Sequence, residues 1–223
     1  IRRIDLKSLN NVRIKNERLL CFYNSIIYNG KVLSNDTYKD ESKVKYYDVN
    51  ELIAAKEGEA PAVTELDIIQ KQKINFVLAK DGNVYTLESA DNGCNIVKIK
   101  NDFTLEKVFA NFQPAKGPYH SSPTIGMVAS ETENIIYLVS TDGAIYKYIL
   151  GDSDSLKAPF IAAESGVSIT APLQLNQQSG ELYVTYTEEL KDESKIVVYS
   201  KDGKVLHTVD CGESVPSQIL FNN

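Results

Sequence analysis

Short apolar runs alternate with turn residues at nearly fixed spacing, and this restricts the chain more than any other feature. The unit is an apolar strand, a polar turn and a second strand that carries a tyrosine. It occurs at Asn75–Ala79, Lys80-Asp81-Gly82 and Asn83–Glu88, and again at Ile125–Ala129, Glu131–Asn134 and Ile135–Ser140. The last third reads Ile169–Leu175, a turn at Gln177–Gly180, Glu181–Thr187, a polar loop, Lys195–Ser200, a turn at Lys201–Gly203, and Lys204–Asp210. Runs rich in Val, Ile, Tyr and Thr between Gly, Asn, Asp and Ser clusters are strands, and Asp202-Gly203 is a tight-turn dipeptide because Gly accepts positive φ. Helical periodicity is confined to Val49–Glu57, which reads as one short surface turn closed off by Pro61.

The spacing identifies the architecture. First-strand centres at Leu20, Val77, Val128, Leu175 and Leu220 are separated by 57, 51, 47 and 45 residues, and the second-strand tyrosines Tyr85, Tyr137 and Tyr183 by 52 and 46. Lys39-Asp40-Glu41-Ser42-Lys43 and Lys191-Asp192-Glu193-Ser194-Lys195 are identical and lie 152 residues apart, close to three periods. A period near 50 with four strands per copy is the mark of a β-propeller blade. The expected fold is therefore all-β, a single propeller over residues 1–223 with blades at about 18–69, 74–112, 123–163 and 169–210. A fifth inner strand, Pro216–Phe221, lacks partners downstream. Unpaired buried backbone groups cost roughly 1–3 kcal/mol each, so residues 1–16, with Ile4, Leu6, Val12 and Ile14, are expected to supply its outer strands and close a five-bladed ring.

Composition excludes several function classes. With 24 Lys+Arg against 30 Asp+Glu the net charge is −6, which leaves no basic footprint for nucleic acid. No apolar run approaches the roughly 20 residues that span a bilayer. The chain opens at Ile1 without an initiator Met, as expected of a processed or trimmed form whose targeting segment has been removed, and a lipid anchor upstream of it is allowed. Cys21, Cys94 and Cys211 fall 73 and 117 residues apart and only His120 and His207 accompany them, so neither a metal site nor another cofactor is expected. Cys21 reads as a strand residue, while Cys94 and Cys211 stand in turn-rich surroundings that allow one disulfide and require none.

Leu182-Tyr183-Val184, Lys195-Ile196-Val197-Val198-Tyr199, Gly203-Lys204-Val205-Leu206-His207-Thr208-Val209, Gly212 and Pro216 together resemble one repeat of the YncE-like propeller proteins. The whole chain is similar to the propeller regions of uncharacterised secreted lipoproteins of gut Bacteroidetes. These resemblances imply a bacterial, extracytoplasmic protein of the periplasm or cell surface and carry no catalytic motif. With no Trp in the chain, the WD40, quinoprotein and sialidase Asp-box signatures are absent.

Propeller loops that lead into each inner strand gather on one face with the loops between second and third strands, and binding concentrates there because rigid strands hold variable loops. The loop Gln113–Ser122 carries Lys116, Tyr119, His120, Ser121 and Ser122; it combines an aromatic face, a titratable imidazole and a cation, although Pro114, Gly117, Pro118 and Pro123 would shape any surface loop. Gln70–Lys73, Asn35–Ser42, Ser89–Cys94 and Glu188–Ser194 are further loops of that face. Glu17, Glu164 and Glu213 stand near the strand entrances. A propeller glycosidase needs two carboxyl groups about 5–9.5 Å apart, yet the inner strands Leu19–Phe22, Asn75–Ala79, Ile125–Ala129, Ile169–Leu175 and Gln218–Phe221 contain no Asp or Glu. No catalytic residue is assigned. The expected function is a non-catalytic binding or scaffold module whose ligand is a protein, peptide or glycan, touched by Lys116, Tyr119, His120, Ser121, Ser122, Glu164 and Glu213. The rival is a propeller hydrolase of the glycosidase or lactonase kind.

Overall fold

The computed structural model describes residues 2–4, 11–13, 25–35, 42–56, 59, 61–70, 76–114, 126–188, 193–216, 219 and 221. Strand β1 (Arg2–Ile4) pairs antiparallel with β2 (Asn11–Arg13). The first four-stranded sheet follows: β3 (Ile26–Tyr28), β4 (Lys31–Ser34), β5 (Ser42–Asp48) and β6 (Thr64–Gln70), in chain order. Asn29 and Gly30, both at positive φ (49° and 71°), form the two-residue turn between β3 and β4, a geometry that Asn and Gly tolerate best. The inner strand of this sheet is thus Ile26–Tyr28; the expected Leu19–Phe22 lies outside the described residues, as does Cys21. Helix α1 occupies Val49–Ala54, ending before the expected Glu57, with Asp48 accepting from the N–H groups of Asn50 and Glu51 as its N-cap. Among the described residues no helix is long and apolar enough to cross a membrane.

The second sheet comprises β7 (Val77–Leu78), β8 (Val84–Ala90), β9 (Gly93–Ile99) and β10 (Leu105–Phe112), again paired in chain order. The third holds β11 (Met127–Ala129), β12 (Ile135–Val139) and β13 (Ile145–Ile149). Its expected fourth strand is reduced to a bridge, in which the Ile161 and Phe160 N–H groups donate to Ile145 O. A 3-10 turn over Ser153–Leu156, capped by Asp152, fills the rest of that edge, where Ser155 Oγ accepts from the Ile149 N–H at 2.9 Å. In the fourth sheet β14 (Val167–Ile169) and β15 (Gln174–Leu175) both pair with β16 (Leu182–Glu188), followed by β17 (Ser194–Tyr199) and β18 (Val205–Gly212). The single inner strand expected over Ile169–Leu175 is therefore broken, and Pro172, which has no N–H to give to a ladder, sits in the break. β5 and β17, which begin at the serines of the two identical KDESK segments, both occupy the third position of their sheets.

Successive sheets pack face to face. Tyr28, Leu33, Val44 and Ile68 of the first sheet meet Phe76, Val84, Val97 and Ile99 of the second. Tyr85, Leu87, Ile96 and Phe112 meet Met127, Ile136, Leu138 and Tyr148 of the third, and Ile135, Tyr137 and Val139 meet Leu182, Val184, Tyr186 and Tyr199 of the fourth. β12 sends Ile136 and Leu138 one way and Ile135, Tyr137 and Val139 the other, so all five of its residues are buried and its sequence is an unbroken apolar run. Each such side chain contributes about 1.5–3 kcal/mol through burial. Of the strand tyrosines, Tyr85, Tyr137, Tyr148 and Tyr199 are buried and Tyr46 and Tyr183 half-buried. Cys94 belongs to this packing too: it lies in β9 rather than in a turn, and burial pushes its thiol up to about 11. Cys94 and Cys211 are both free thiols, so the disulfide that their surroundings allowed is not formed.

Candidate functional site

One end of the sheets gathers the turns between second and third strands with the segments that lead from each sheet to the next. Here the root of the Gln113–Ser122 loop is built in detail. Gln113 Nε2 donates to Asn92 O at 2.7 Å, at the β8–β9 turn of the second sheet. The Thr141 N–H donates to Gln113 O at 2.9 Å and Thr141 Oγ1 donates to Pro114 O at 2.8 Å, both from the β12–β13 turn of the third. The loop therefore leaves the protein clamped between two sheets. Asp142 holds the second clamp in shape: it accepts from Ser140 Oγ and from the Ala144 N–H, and these bonds keep its carboxyl below the usual carboxylate range. Gly93 is required beside the first. Its φ is 119°, and a Cβ there would stand 2.5 Å from Phe112 O and closer still to Gln113 Nε2. Lys116, Tyr119, His120, Ser121 and Ser122 lie beyond this root and outside the described residues, as does Glu17.

Glu164 and Glu213 are described and exposed. The Glu164 carboxylate pairs with Lys195 Nζ at 2.8 Å, and that ammonium stands 5.9 Å from the centre of the Tyr186 ring. Behind it the Tyr186 and Tyr199 hydroxyls meet at 3.0 Å; burial first, and this bond second, raise the Tyr186 pKa. Glu164 thus serves as counter-ion to a lysine. Next to Lys195, Glu188, Glu193, Ser194, Thr208 and Asp210 line a shallow recess of about 240 Å³. Glu213 follows β18, where Ser194 Oγ donates to Ser214 O and Thr185 Oγ1 donates to Pro216 O at 3.3 Å. Among the described residues no group of three His, Cys, Asp or Glu side chains is placed to hold a metal ion.

A second polar feature of this end escaped the sequence. Gln70, expected in a surface loop, is the last residue of β6 and 1% exposed. Its Oε1 accepts from Asn35 Nδ2 at 2.6 Å, and its Nε2 donates to Thr86 Oγ1 and Leu87 O, each at 2.9 Å. One amide thereby ties the ends of β4 and β6 to β8 of the next sheet. The opposite end of the sheets is cross-tied as well. Gln177 Nε2 donates to Ala129 O at 3.0 Å and its Oε1 accepts from the Glu131 N–H at 2.8 Å, while Lys201 pairs with Glu133 at 2.7 Å.

The sequence profile of the family described as "Domain of unknown function (DUF5074)" matches residues 35–222, most of the chain and nearly all of the four sheets. The chain belongs to the DUF5074 family. No curated protein matches it. Among solved structures, puromycin hydrolase superposes with a TM-score of 0.57 at 13% identity, over 90% of this chain and 29% of that one. Prolyl oligopeptidase B from Galerina marginata superposes with a TM-score of 0.55 at 12% identity, over 95% of this chain and 31% of that one. The chain spans less than a third of either protein, and at such identity the likeness is one of fold: an all-β, propeller-like stack of antiparallel sheets.

Proposed function

We propose that this DUF5074 chain is a five-bladed propeller that binds without catalysing, and that its ligand is held by the Gln113–Ser122 loop. The observation that carries this reading is the root of that loop. Gln113 and Pro114 are bonded to the turns of two separate sheets, an arrangement that spends hydrogen bonds and a glycine of restricted geometry on fixing where the loop begins. A rigid root lowers the conformational cost of binding at the tip. Lys116, Tyr119, His120, Ser121 and Ser122 would then supply a cation, a stacking face and hydrogen-bonding groups to a glycan, peptide or protein.

The fifth blade has support at its inner edge. The Ile219 N–H donates to Gln174 Oε1 at 2.7 Å and the Phe221 ring packs on Tyr183 with centroids 5.0 Å apart, so the chain after β18 runs back along the inner strands of the fourth sheet. In our reading the β1–β2 hairpin completes this blade. A place outside the cytoplasm, with a lipid anchor upstream, accords with the secreted lipoproteins that the sequence resembles.

Titration calorimetry against soluble oligosaccharides and unstructured peptides tests the binding function, with chromogenic glycosides and lactones assayed in parallel. Saturable binding that Tyr119→Ala and His120→Ala abolish, without turnover, is the expected result. Turnover above buffer would replace it with the hydrolase reading.

A further inference from the structure

The chain holds two Asn-Gly dipeptides, Asn29-Gly30 and Asn92-Gly93, and each lies at a turn between neighbouring strands. Glycine after asparagine is the pair in which a main-chain nitrogen reaches the side-chain amide most easily, because no Cβ shields it. The fold treats the two differently. Asn29 Nδ2 donates to Asn101 O at 2.8 Å, from the first sheet to the second. The Asn92 side chain is exposed, and among the described residues it has no hydrogen-bond partner. Its main-chain carbonyl, however, accepts from Gln113 Nε2 and so carries one half of the loop root.

We propose that Asn92 is a site of spontaneous modification, converted through a succinimide to aspartate and isoaspartate, and that the isoaspartate opens the loop root. The Gly93 nitrogen, on losing its proton, attacks Asn92 Cγ. The new N–Cγ bond forms as the Cγ–Nδ2 bond breaks, and Nδ2 leaves as ammonia with that proton. Water then opens the ring. Opening at the Cγ–N bond restores the main chain as aspartate. Opening at the original peptide bond gives isoaspartate, in which the chain runs through Cγ and is one carbon longer. An amide and a water thus become a carboxylic acid and an ammonia, with nothing oxidised or reduced.

The extra carbon enters where the turn has no slack. Phe112 O and the Gln113 amide already close over Gly93, and the Asn92 carbonyl leaves the main chain to become a free carboxylate. Aspartate at position 92, by contrast, alters only an exposed side chain. The three Asp-Gly turns, Asp81-Gly82, Asp142-Gly143 and Asp202-Gly203, reach the same ring only from a protonated carboxyl, which is scarce at neutral pH. The modification is independent of what the loop binds.

Incubation of the protein for weeks in mildly alkaline buffer, followed by peptide mapping and labelling with an isoaspartyl methyltransferase, tests this. A urea-unfolded sample is the control, because both dipeptides are equally free in it. In the folded protein Asn92 should convert roughly five- to tenfold faster than Asn29, the factor that one net hydrogen bond is worth. In urea the two rates should converge. Amide exchange at Thr141, whose N–H donates to Gln113 O, should rise in the isoaspartyl fraction. It should stay at the wild-type level in Asn92→Asp, which adds the charge without lengthening the chain. Equal rates at the two positions in the folded protein, a folded-state ratio no different from that in urea, or unchanged Thr141 exchange in the isoaspartyl fraction would each overturn the proposal.

Discussion

The ring of Phe103 lies 4.6 Å from that of Tyr46, centroid to centroid, although Phe103 occupies a turn position that glycine fills elsewhere in the chain. Three turns share one form: Ala79-Lys80-Asp81-Gly82, Ser140-Thr141-Asp142-Gly143 and Ser200-Lys201-Asp202-Gly203. In each, the fourth residue has φ between 75° and 84° and donates its N–H to the carbonyl of the first. Lys100-Asn101-Asp102-Phe103 repeats the bond with φ at 65° and a phenylalanine in place of the glycine. A left-handed conformation costs a residue with a Cβ about 1–2 kcal/mol. Contact of the half-buried ring with Tyr46 and, edge on at 5.9 Å, with Tyr28 offsets that cost and binds the second sheet to the first.

Truncating this ring separates the two effects. Phe103→Gly relieves the strain but loses the contact, for a net loss of about 1 kcal/mol, whereas Phe103→Ala loses the contact and keeps the strain, for about 2 kcal/mol or more. Urea unfolding should therefore rank the wild type above Phe103→Gly, and Phe103→Ala last. A glycine variant more stable than the wild type would show that the ring contact is worth less than the backbone strain it was argued to offset.

Acid stability should depend on Asp81. Burial alone would raise its pKa, but Lys98 at 2.9 Å, the N–H and side chain of Asn83, and the Tyr85 hydroxyl at 2.9 Å outweigh that and hold the carboxyl below its ordinary value. A carboxylate depressed in the folded state adds stability that is complete above the unfolded value of about 3.9. That stability is lost as pH falls through the lower folded value. The wild type should therefore lose stability more steeply than Asp81→Asn below about pH 4. Parallel slopes in thermal melts across that range would show that Asp81 does not supply the effect.

Much of this architecture can be read from residue order, and the exceptions have local causes. β12 is legible because burial on both faces demands apolar side chains at every position. The Asp-Gly turns are legible because Asp81 and Asp142 each accept the N–H two residues on, and only Gly takes the following φ without strain. The turn at Phe103 hides the same geometry behind a residue of the wrong type. Asn29-Gly30 is a turn signal of the ordinary kind, and it places β3 at Ile26–Tyr28. The outer strand of the third sheet is replaced by polar bonds from Asp152 and Ser155, which leave no periodicity to detect. At the candidate site, composition marks which residues are polar but not which are buried, so Gln70 reads as loop and Glu164 as an unpaired acid until their partners are seen.

The loop root should fail from a distance if Gly93 is changed. Gly93→Ala forces the Phe112 carbonyl and the Gln113 side chain to move and places a Cβ at a φ that alanine resists, at a cost of about 2 kcal/mol or more. Gln113→Ala removes only the bond to Asn92 O and should cost about 1 kcal/mol. Amide hydrogen exchange at Thr141, whose N–H donates to Gln113 O, reports the clamp directly. Protection there should drop sharply in Gly93→Ala and slightly in Gln113→Ala; unchanged exchange in Gly93→Ala would mean that the turn of the third sheet is set without the loop.

Gln70 allows a test in which the sign of the pH dependence is diagnostic. Gln70→Ala strips buried Asn35 and Thr86 of a partner and should cost about 2–4 kcal/mol, because both lose a hydrogen bond where water cannot easily replace it. Gln70→Glu keeps the shape. The new carboxyl can accept from Asn35 Nδ2 in either state, but only its protonated form can donate to the Leu87 carbonyl, and burial disfavours the charge. Its folded pKa would stand above the unfolded value of about 4.3. Stability relative to the wild type is then retained at low pH and lost as pH rises through the folded pKa. Urea midpoints of Gln70→Glu should accordingly decline between about pH 4 and 7 while those of Gln70→Ala stay low throughout. A Gln70→Glu variant whose deficit does not change with pH would mean that the carboxyl reaches solvent, and that β4, β6 and β8 are not joined through a dry amide.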